Sequence, residues 1–390
     1  MLRGADDTPV AVGDDRSVPD RPLHVVIAGG GVAGLEALTA LRALANGRVE
    51  LTIVNPEPEF VYRPVAVDEP FTVGRSRRLA LDRATRELGS EFIRAGIESV
   101  STDRKLVHVT GGHAIRYDAL VLAMGAKPVP SLAGAITWDD RADADIIGGL
   151  LRDLEEGYGR RVAVVIPPGP VWPLRAYELA LFITLQARGM SVDIETTIIT
   201  PEPSPLALLT PRASDRVSAE LELAGVAVAS ATSVDVEPGH PHTVILDPGG
   251  RRIEADRVVA IPTLCGQPIP GIPARPDGFV DVDEHCRVRG LDSVWAVGDN
   301  TAFPLKAGGF AAEQADVAAE DIAARAGAAV QPHTFNPSQR DDLAGLPAGR
   351  FFESWLAETD PTLTTHLPAD GLPVLTFLHR DLLASWRGDI

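Results

Sequence analysis

The chain has 390 residues, of which 45% are hydrophobic and 23% are charged, so it reads as an ordinary globular protein of two or three domains. Its net charge of −18 argues against nucleic acid and anionic membrane as partners, because phosphate binding needs a basic surface. Two cysteines provide no disulfide framework and favour a cytoplasmic location. Residues 1–21 are predicted to be a disordered acidic tail, without the apolar core of a signal peptide.

The first predicted elements form a strand-helix-strand unit. An apolar run at 24–28 predicts a buried strand, and a glycine turn and a helix with apolar periodicity follow it. A second apolar strand ends at Asn55. Alternating segments then continue to YDALVLAMGAKP at 117–128, so residues 22–128 are predicted to be the first part of a dinucleotide-binding domain.

The same pattern begins again at Arg161, where a strand, a Pro/Gly loop, a helix and a strand predict a second β-α-β unit. We assign residues 129–250 to this second Rossmann-like domain. The segment 255–268 echoes 117–128, which suits two crossings between domains. Residues 251–330 are therefore predicted to complete the first domain, and 331–390 to form a C-terminal piece. The predicted fold class is α/β, with two Rossmann-like three-layer domains, the first of them discontinuous, and a C-terminal extension.

A GxGxxG motif follows the first strand, with glycines at Gly29, Gly31 and Gly34 and with Ala33 inside it. These glycines allow a tight turn, close approach of a pyrophosphate and close helix packing, with the helix N-terminus facing the phosphates. The acidic residue expected to hold a ribose after the second strand is replaced by Asn55. Its amide can still pair with a hydroxyl, or Asn55 is a plain turn residue.

Three motifs in order resemble the pyridine nucleotide-disulfide oxidoreductase superfamily of two-dinucleotide flavoproteins. They are VVIAGGGVAGLEAL, the crossing AMGAKP around Gly125, and AVGD ending in Gly298 and Asp299. The resemblance covers about residues 23–329 and implies bound FAD. It also implies that Asp299 hydrogen-bonds the ribityl and pyrophosphate region of FAD. Read without the resemblance, Asp299 would be a helix N-cap.

The second domain departs from the NAD(P)H-using members of that superfamily. Its loop reads PPGPVWPLRAYELAL, with Gly169 alone where three glycines are expected and with prolines that lack N–H donors. The loop resembles the sulfide:quinone reductase and flavocytochrome c sulfide dehydrogenase branch, close to the type II NADH dehydrogenases. Trp172, Pro173, Tyr177 and Glu178 carry this resemblance.

The redox cysteines of that branch are missing. Trp172 stands where one is expected, and the other would fall near Val280. Cys265 and Cys286 do not have the close spacing of a redox pair. We therefore predict no redox-active disulfide.

Two further positions are candidates near a flavin. Lys306 loosely matches a lysine that precedes a helix aimed at the flavin pyrimidine edge, and it is our candidate catalytic residue; the alternative is a solvated loop lysine. FVYRP at 60–64 occupies a loop that passes the isoalloxazine in relatives, so Arg63 is a candidate phosphate or substrate contact. Packing is the alternative for the residues of this loop.

The predicted function is an FAD-dependent oxidoreductase that passes electrons from a small donor to a quinone or other small acceptor. NAD(P)H is not favoured. The alternatives are an NAD(P)H-dependent flavoprotein reductase with a divergent nicotinamide site and a non-catalytic flavin-binding redox sensor. No metal site is predicted. A C-terminal helical stripe favours core or homodimer packing, with peripheral membrane or quinone contact as the alternative; its members are Leu375, Leu378, Leu382 and Trp386.

Overall fold

A computed structural model describes residues 21–62, 77–139, 144–207, 211–236 and 243–336. The elements up to the first crossing are β1 (Leu23–Ala28), α1 (Val32–Leu44), β2 (Val49–Val54), β3 (Glu59–Tyr62), β4 (Arg77–Ala80), α2 (Leu81–Glu87), β5 (Glu91–Ile93), β6 (Ile97–Ser101), β7 (Leu106–Val109), β8 (His113–Arg116), β9 (Ala119–Leu122) and β10 (Lys127–Val129).

The elements after it are β11 (Ile136–Thr137), α3 (Ala144–Glu155), β12 (Arg161–Val165), α4 (Leu174–Gly189), β13 (Glu195–Ile199), α5 (Pro211–Ala224), β14 (Ala227–Ala229), β15 (Ser233–Val236), β16 (Thr243–Asp247), β17 (Arg251–Glu254), β18 (Arg257–Ala260), β19 (Thr263–Cys265), β20 (Val294–Ala296) and α6 (Gly308–Arg325).

The first sheet is parallel, with the strand order β20-β9-β1-β2-β5. Alternate side chains of β1 point to opposite faces. Val25 and Ile27 join a core with α1 and α6, whereas Val26 and Ala28 join a core with the antiparallel β6-β7-β8 sheet. Because both faces are covered, every residue of this strand from Val25 to Ala28 is buried, which explains its uninterrupted apolar sequence.

The second sheet repeats the arrangement, with the parallel order β11-β18-β12-β13-β14. Val162 and Val164 pack with α3, α4 and α5, and Ala163 and Val165 pack with the antiparallel β15-β16-β17 sheet. Two three-layer units of the predicted α/β class are thus confirmed.

The two crossings between the sheets pair with each other. β10 and β19 form an antiparallel ribbon in which Lys127 lies opposite Cys265 and Val129 lies opposite Thr263. The two segments that echo each other in the sequence therefore lie side by side. One detail differs from the prediction: β17 and β18 lie with the second unit, so the chain returns to the first sheet after Ala260 and not at residue 251.

Candidate functional site

The glycine-rich loop lies between β1 and α1, at the carboxyl edge of the first sheet. Gly29 has a φ of +120°, and a β-carbon there would lie 2.2 Å from the carbonyl oxygen of Ala123. A β-carbon at Gly34 would lie 1.9 Å from the carbonyl oxygen of Gly29, so the helix could not pack this closely with any other residue. A β-carbon at Gly31 would meet no atom of the described residues within 4 Å. The three glycines thus combine two tight contacts with one open position.

Asn55 fixes this loop from the end of β2. Its Oδ1 accepts a hydrogen bond of 2.9 Å from the backbone N–H of Gly30, and its Nδ2 donates to the carbonyl of Glu57. The amide thereby takes up one N–H of the glycine loop. These two hydrogen bonds agree with the alternative interpretation of Asn55 as a turn residue. A contact between Asn55 and a ribose stays a prediction.

The turn Gly298–Asn300 follows β20 at the same edge of the sheet. A β-carbon at Gly298 would lie 3.1 Å from the Cβ of Ala33 and 3.2 Å from the Cβ of Ala311, so the turn is wedged between α1 and α6. The backbone N–H of Gly298 donates a 2.7 Å hydrogen bond to Oε1 of the buried Gln314. Asp299 is half-buried in this turn. The structure therefore brings the first and last motifs of the resemblance together.

Lys306 approaches this turn just before α6 begins at Gly308. Its Nζ donates hydrogen bonds to the carbonyls of Asp299 and Thr301, at 3.2 and 2.6 Å, and lies 3.9 Å from the ring centre of Phe279. The side chain is 5% exposed, so the solvated alternative is wrong. Burial lowers the pKa of Lys306 to about 8, although the charge of Asp299 opposes the shift.

In the second unit, the loop between β12 and α4 corresponds to the glycine-rich loop of the first unit, and it is held by contacts with other segments. The carbonyl of Pro170 accepts a hydrogen bond from the N–H of Leu264, and Val171 forms a bridge with Leu305. Trp172 is partly buried against the second core. The loop therefore packs against the segment that leads to Lys306, and its prolines provide no N–H donors for a phosphate.

The acidic residue after β13 already has a hydrogen-bond partner within the second unit. Glu202 is buried, and its Oε2 accepts a 2.7 Å hydrogen bond from the hydroxyl of the buried Tyr177. Burial and the neighbouring Glu202 carboxylate raise the pKa of Tyr177, so the hydroxyl keeps its proton. In a Rossmann unit, an acidic residue in this region pairs with ribose hydroxyls. Here it is packed beneath α4.

The two cysteines are free and lie in different environments. Cys265 is exposed on the crossing ribbon, and Cys286 is buried in the core of the first unit. Burial and nearby carboxylates, first Asp283, raise the pKa of the Cys286 thiol, which makes it a poor nucleophile.

Other predicted positions have mixed outcomes. Gly125 has a φ of +69° and lies between β9 and the crossing ribbon, and its contact with a cofactor stays a prediction. Arg63, Pro64 and the side chain of Tyr62 lie outside the described residues, as does the C-terminal stripe. Sequence reasoning missed Gln314 and the Tyr177–Glu202 pair, because a hydrogen bond across 25 residues leaves no local pattern.

The residues of the first unit fit an FAD. Within the part of the chain that the structure describes, Gly31 adjoins open space and no side chain caps the N-terminus of α1, whose first turn has no acidic residue. Such an end attracts phosphate through its free N–H groups and its dipole. Asp299 and Lys306 meet the same edge of the sheet. A diphosphate with a polyol chain therefore matches the donors and the space that the chain provides there.

Two parallel three-layer units, one inserted into the other and one with a glycine cradle, define a two-dinucleotide α/β oxidoreductase fold. A family model described as pyridine nucleotide-disulphide oxidoreductase matches residues 23–321. The chain belongs to this family.

Two individual relatives are similar to this chain. A sulfide-quinone reductase of Aquifex aeolicus is 30% identical over 190 residues, which are 46% of this chain and 43% of the relative, so the match spans less than half of either protein. An NADH dehydrogenase-like protein of Mycobacterium tuberculosis is 27% identical over 72% of this chain and 73% of its own.

Solved structures share the fold. The sulfide:quinone oxidoreductase of Aquifex aeolicus has a TM-score of 0.67 at 24% identity, covering 77% of this chain and 76% of its own. An NAD-dependent persulfide reductase of A. fulgidus has a TM-score of 0.58 at 22% identity, covering 80% and 61%. Among the described residues, no helix combines the length and apolarity needed to cross a bilayer.

Proposed function

We propose that the chain binds FAD at the carboxyl edge of the first sheet and passes electrons from a small donor to a quinone or another small acceptor. The observation that carries this proposal is the difference between the two units. The first has an open glycine loop at an uncapped helix N-terminus. The second has a proline-rich loop that packs against Leu264 and Leu305.

FAD supplies the two-electron chemistry, and the chain supplies binding, orientation and electrostatics. The N–H groups in the first turn of α1 would hold the diphosphate, and Asp299 would hold the ribityl region. The ammonium of Lys306 and the N-terminus of α6 would place positive charge beside the flavin. The proposal includes no redox-active disulfide, since both cysteines are free, Cys265 being exposed on the crossing ribbon and Cys286 buried in the core of the first unit.

The similarity to a sulfide-quinone reductase supports a quinone as the acceptor. The donor in this proposal is a small reductant other than NAD(P)H. The packed loop and the buried Glu202 both disfavour a nicotinamide nucleotide in the second unit. Homodimer formation and membrane contact through the C-terminal segment stay predictions.

A second candidate is an NAD(P)H-dependent flavoprotein reductase. The observation in its favour is the match to an NADH dehydrogenase-like protein over 72% of this chain. In this case the loop at 167–173 would have to move away from Leu305 before the nucleotide could bind.

An anaerobic titration separates the two candidates. The FAD-loaded protein is mixed in turn with NADH, NADPH, sulfide and a thiol while the flavin absorbance is followed. We expect slow bleaching with both nucleotides and rapid bleaching with a small reductant. Rapid, saturable bleaching at micromolar NADPH would establish the second candidate. Steady-state turnover with a quinone analogue then distinguishes an enzyme from a flavin-binding sensor.

A further inference from the structure

Gln314 is a buried polar side chain in the second turn of α6. It is 1% exposed, and its neighbours along the helix include the buried alanines Ala311 and Ala315. Its Oε1 accepts a 2.7 Å hydrogen bond from the N–H of Gly298, and its Nε2 lies 3.4 Å from Oγ1 of Thr301. A buried polar group destabilises the fold unless it is hydrogen-bonded. The amide of Gln314 thus finds its partners in the turn that follows β20, on both sides of residue 299.

The turn needs this contact because the chain leaves the sheet at Gly298. The N–H of Val297 still donates to the carbonyl of Leu122 in β9, whereas the next N–H along the chain donates to Gln314. Gly298 has a φ of +71° and is wedged against Ala33 in the first turn of α1. If the amide of Gln314 were absent, this buried N–H would lose its acceptor, and a shift of the turn that brings it to water would become favourable.

Asp299 lies between the backbone groups that are held. Gln314 holds the N–H of the residue before it. Lys306 donates hydrogen bonds to the carbonyls of Asp299 itself and of Thr301. Asp299 is only half-buried, in contrast to Gln314, so the residue borders space outside the packed core. Because the rotamers open to a side chain depend on its backbone conformation, the two side chains that fix the turn also limit the directions of the Asp299 carboxylate.

We propose that Gln314 is a positioning residue for FAD, which holds the turn in the conformation that presents Asp299 to the ribityl region. This assignment rests on the proposed function, in which Asp299 has that role. Gln314 does not touch the cofactor. It acts by preorganisation, because a ligand that binds to a turn already in place does not have to supply the free energy of ordering it. The competing interpretation is that Gln314 stabilises the fold alone.

The first test compares FAD with ADP in Gln314→Leu, which removes the amide and keeps an apolar side chain. FAD is stripped from the full-length protein, and both dissociation constants are measured by titration. We expect the constant for FAD to rise about ten-fold, or about 1.4 kcal/mol, as for a turn that is competent about one-tenth of the time. The constant for ADP, which lacks the ribityl chain, should stay within about two-fold of wild type. Unchanged FAD affinity, or equal losses for FAD and ADP, would overturn the assignment.

The second test asks whether Gln314 acts through Asp299. Asp299→Ala alone should weaken FAD binding. In that background, Gln314→Leu should change the dissociation constant for FAD by less than about two-fold, because residues that act through one contact are not additive. An equal loss with and without the Asp299 carboxylate would leave Gln314 a structural residue and overturn the assignment. Wild-type FAD affinity in Asp299→Ala, or a wild-type chain that binds no FAD, would instead overturn the proposed function and this inference together.

Two variants separate the hydrogen bond from general stability. Gln314→Glu retains an acceptor for the N–H of Gly298, so its FAD affinity should lie within about three-fold of wild type; a loss equal to that of Gln314→Leu would overturn the assignment. Thr39→Val removes another buried hydrogen-bonding group of the same unit, whose Oγ1 donates to carbonyls within α1. It should keep the FAD affinity of wild type even at a lower melting temperature. An FAD affinity that falls as far as in Gln314→Leu would mean that binding follows the stability of the unit, against the assignment.

Thr301→Val takes the place of Gln314→Leu if the latter does not fold. It removes the hydroxyl that lies 3.4 Å from Nε2 of Gln314 and donates a 3.0 Å hydrogen bond to the carbonyl of Gly298. Weaker binding of FAD with unchanged binding of ADP would support the positioning role. Wild-type affinity for both ligands, or equal losses for both, would overturn it.

Discussion

Replacement of Lys306 by Met is expected to lower the two-electron midpoint potential of the bound flavin. Reduction of FAD leaves negative charge at N1 and the C2 carbonyl, and Lys306 lies directly before the helix whose N-terminus begins at Gly308. An opposite charge within about 4–6 Å shifts a pKa by about 1–3 units. Since one unit is about 1.4 kcal/mol and this equals about 30 mV for two electrons, the expected loss is about 30–90 mV.

The pH dependence provides a second signature. The pKa of Lys306 is about 8 without a cofactor, and the charge of the reduced flavin should raise it. Below pH 8 the lysine is protonated in both redox states, so reduction takes up one proton and the potential falls by about 30 mV per pH unit. Above pH 8 reduction also protonates Lys306, and the slope becomes about 60 mV per pH unit. The Met variant should lack the steeper slope above pH 8.

Spectroelectrochemical titration of wild type, Lys306→Met and Lys306→Arg between pH 6 and 10 measures both effects. The Arg variant should recover part of the lost potential. Lys127→Met is the control, because Lys127 is exposed on the crossing ribbon. A Met variant with wild-type potential and slope, at equal FAD occupancy, would refute a flavin role and leave Lys306 as a structural clamp on the carbonyls of Asp299 and Thr301.

Three other predictions follow from the described contacts. Gly31→Val should fold but be purified largely without FAD, because its side chain would enter the open space of the cradle; full occupancy, read from the flavin absorbance, would contradict this. In the double variant Cys265→Ala, Cys286→Ala, the rate of flavin reduction measured by stopped flow should stay within a few-fold of the wild-type rate. A rate lower by orders of magnitude, with FAD still bound, would show that a thiol takes part in catalysis. Asp321→Ala should destabilise the fold by about 3–5 kcal/mol in denaturant unfolding, because it leaves the partly buried Arg287 without its 2.9 Å partner; a change below about 1 kcal/mol would mean that the arginine finds other partners.

The two parallel sheets could be predicted from the sequence because their central strands are covered on both faces. The sequences of such strands are unbroken apolar runs. Gly29 and Gly34, between β1 and α1, are required because a β-carbon at either position would lie less than 3 Å from backbone atoms. The assignment of β18 to the first sheet was wrong for the same reason. A buried parallel strand looks alike in either sheet, so the pattern could not tell to which one β18 pairs.

The environment of individual side chains was less predictable. The buried ammonium of Lys306 donates its hydrogen bonds to backbone carbonyls. Because every residue has a backbone carbonyl, the neighbouring sequence does not identify these partners. The same holds for Asn300, whose buried carboxamide has no hydrogen-bond partner among the described residues. A site built from such contacts becomes visible only once the elements are placed.

The antiparallel ribbon of β10 and β19 makes the second unit a removable cassette. Val129 and Thr263 face each other in register, so a two-residue hairpin turn could join them directly. Both ends of the inserted unit leave the first sheet at one point, which is where chains tolerate exchange of whole segments. Exchange of the cassette would leave every strand of the first sheet in place, while the contacts of Pro170 and Val171 with Leu264 and Leu305 would be renewed by the incoming loop.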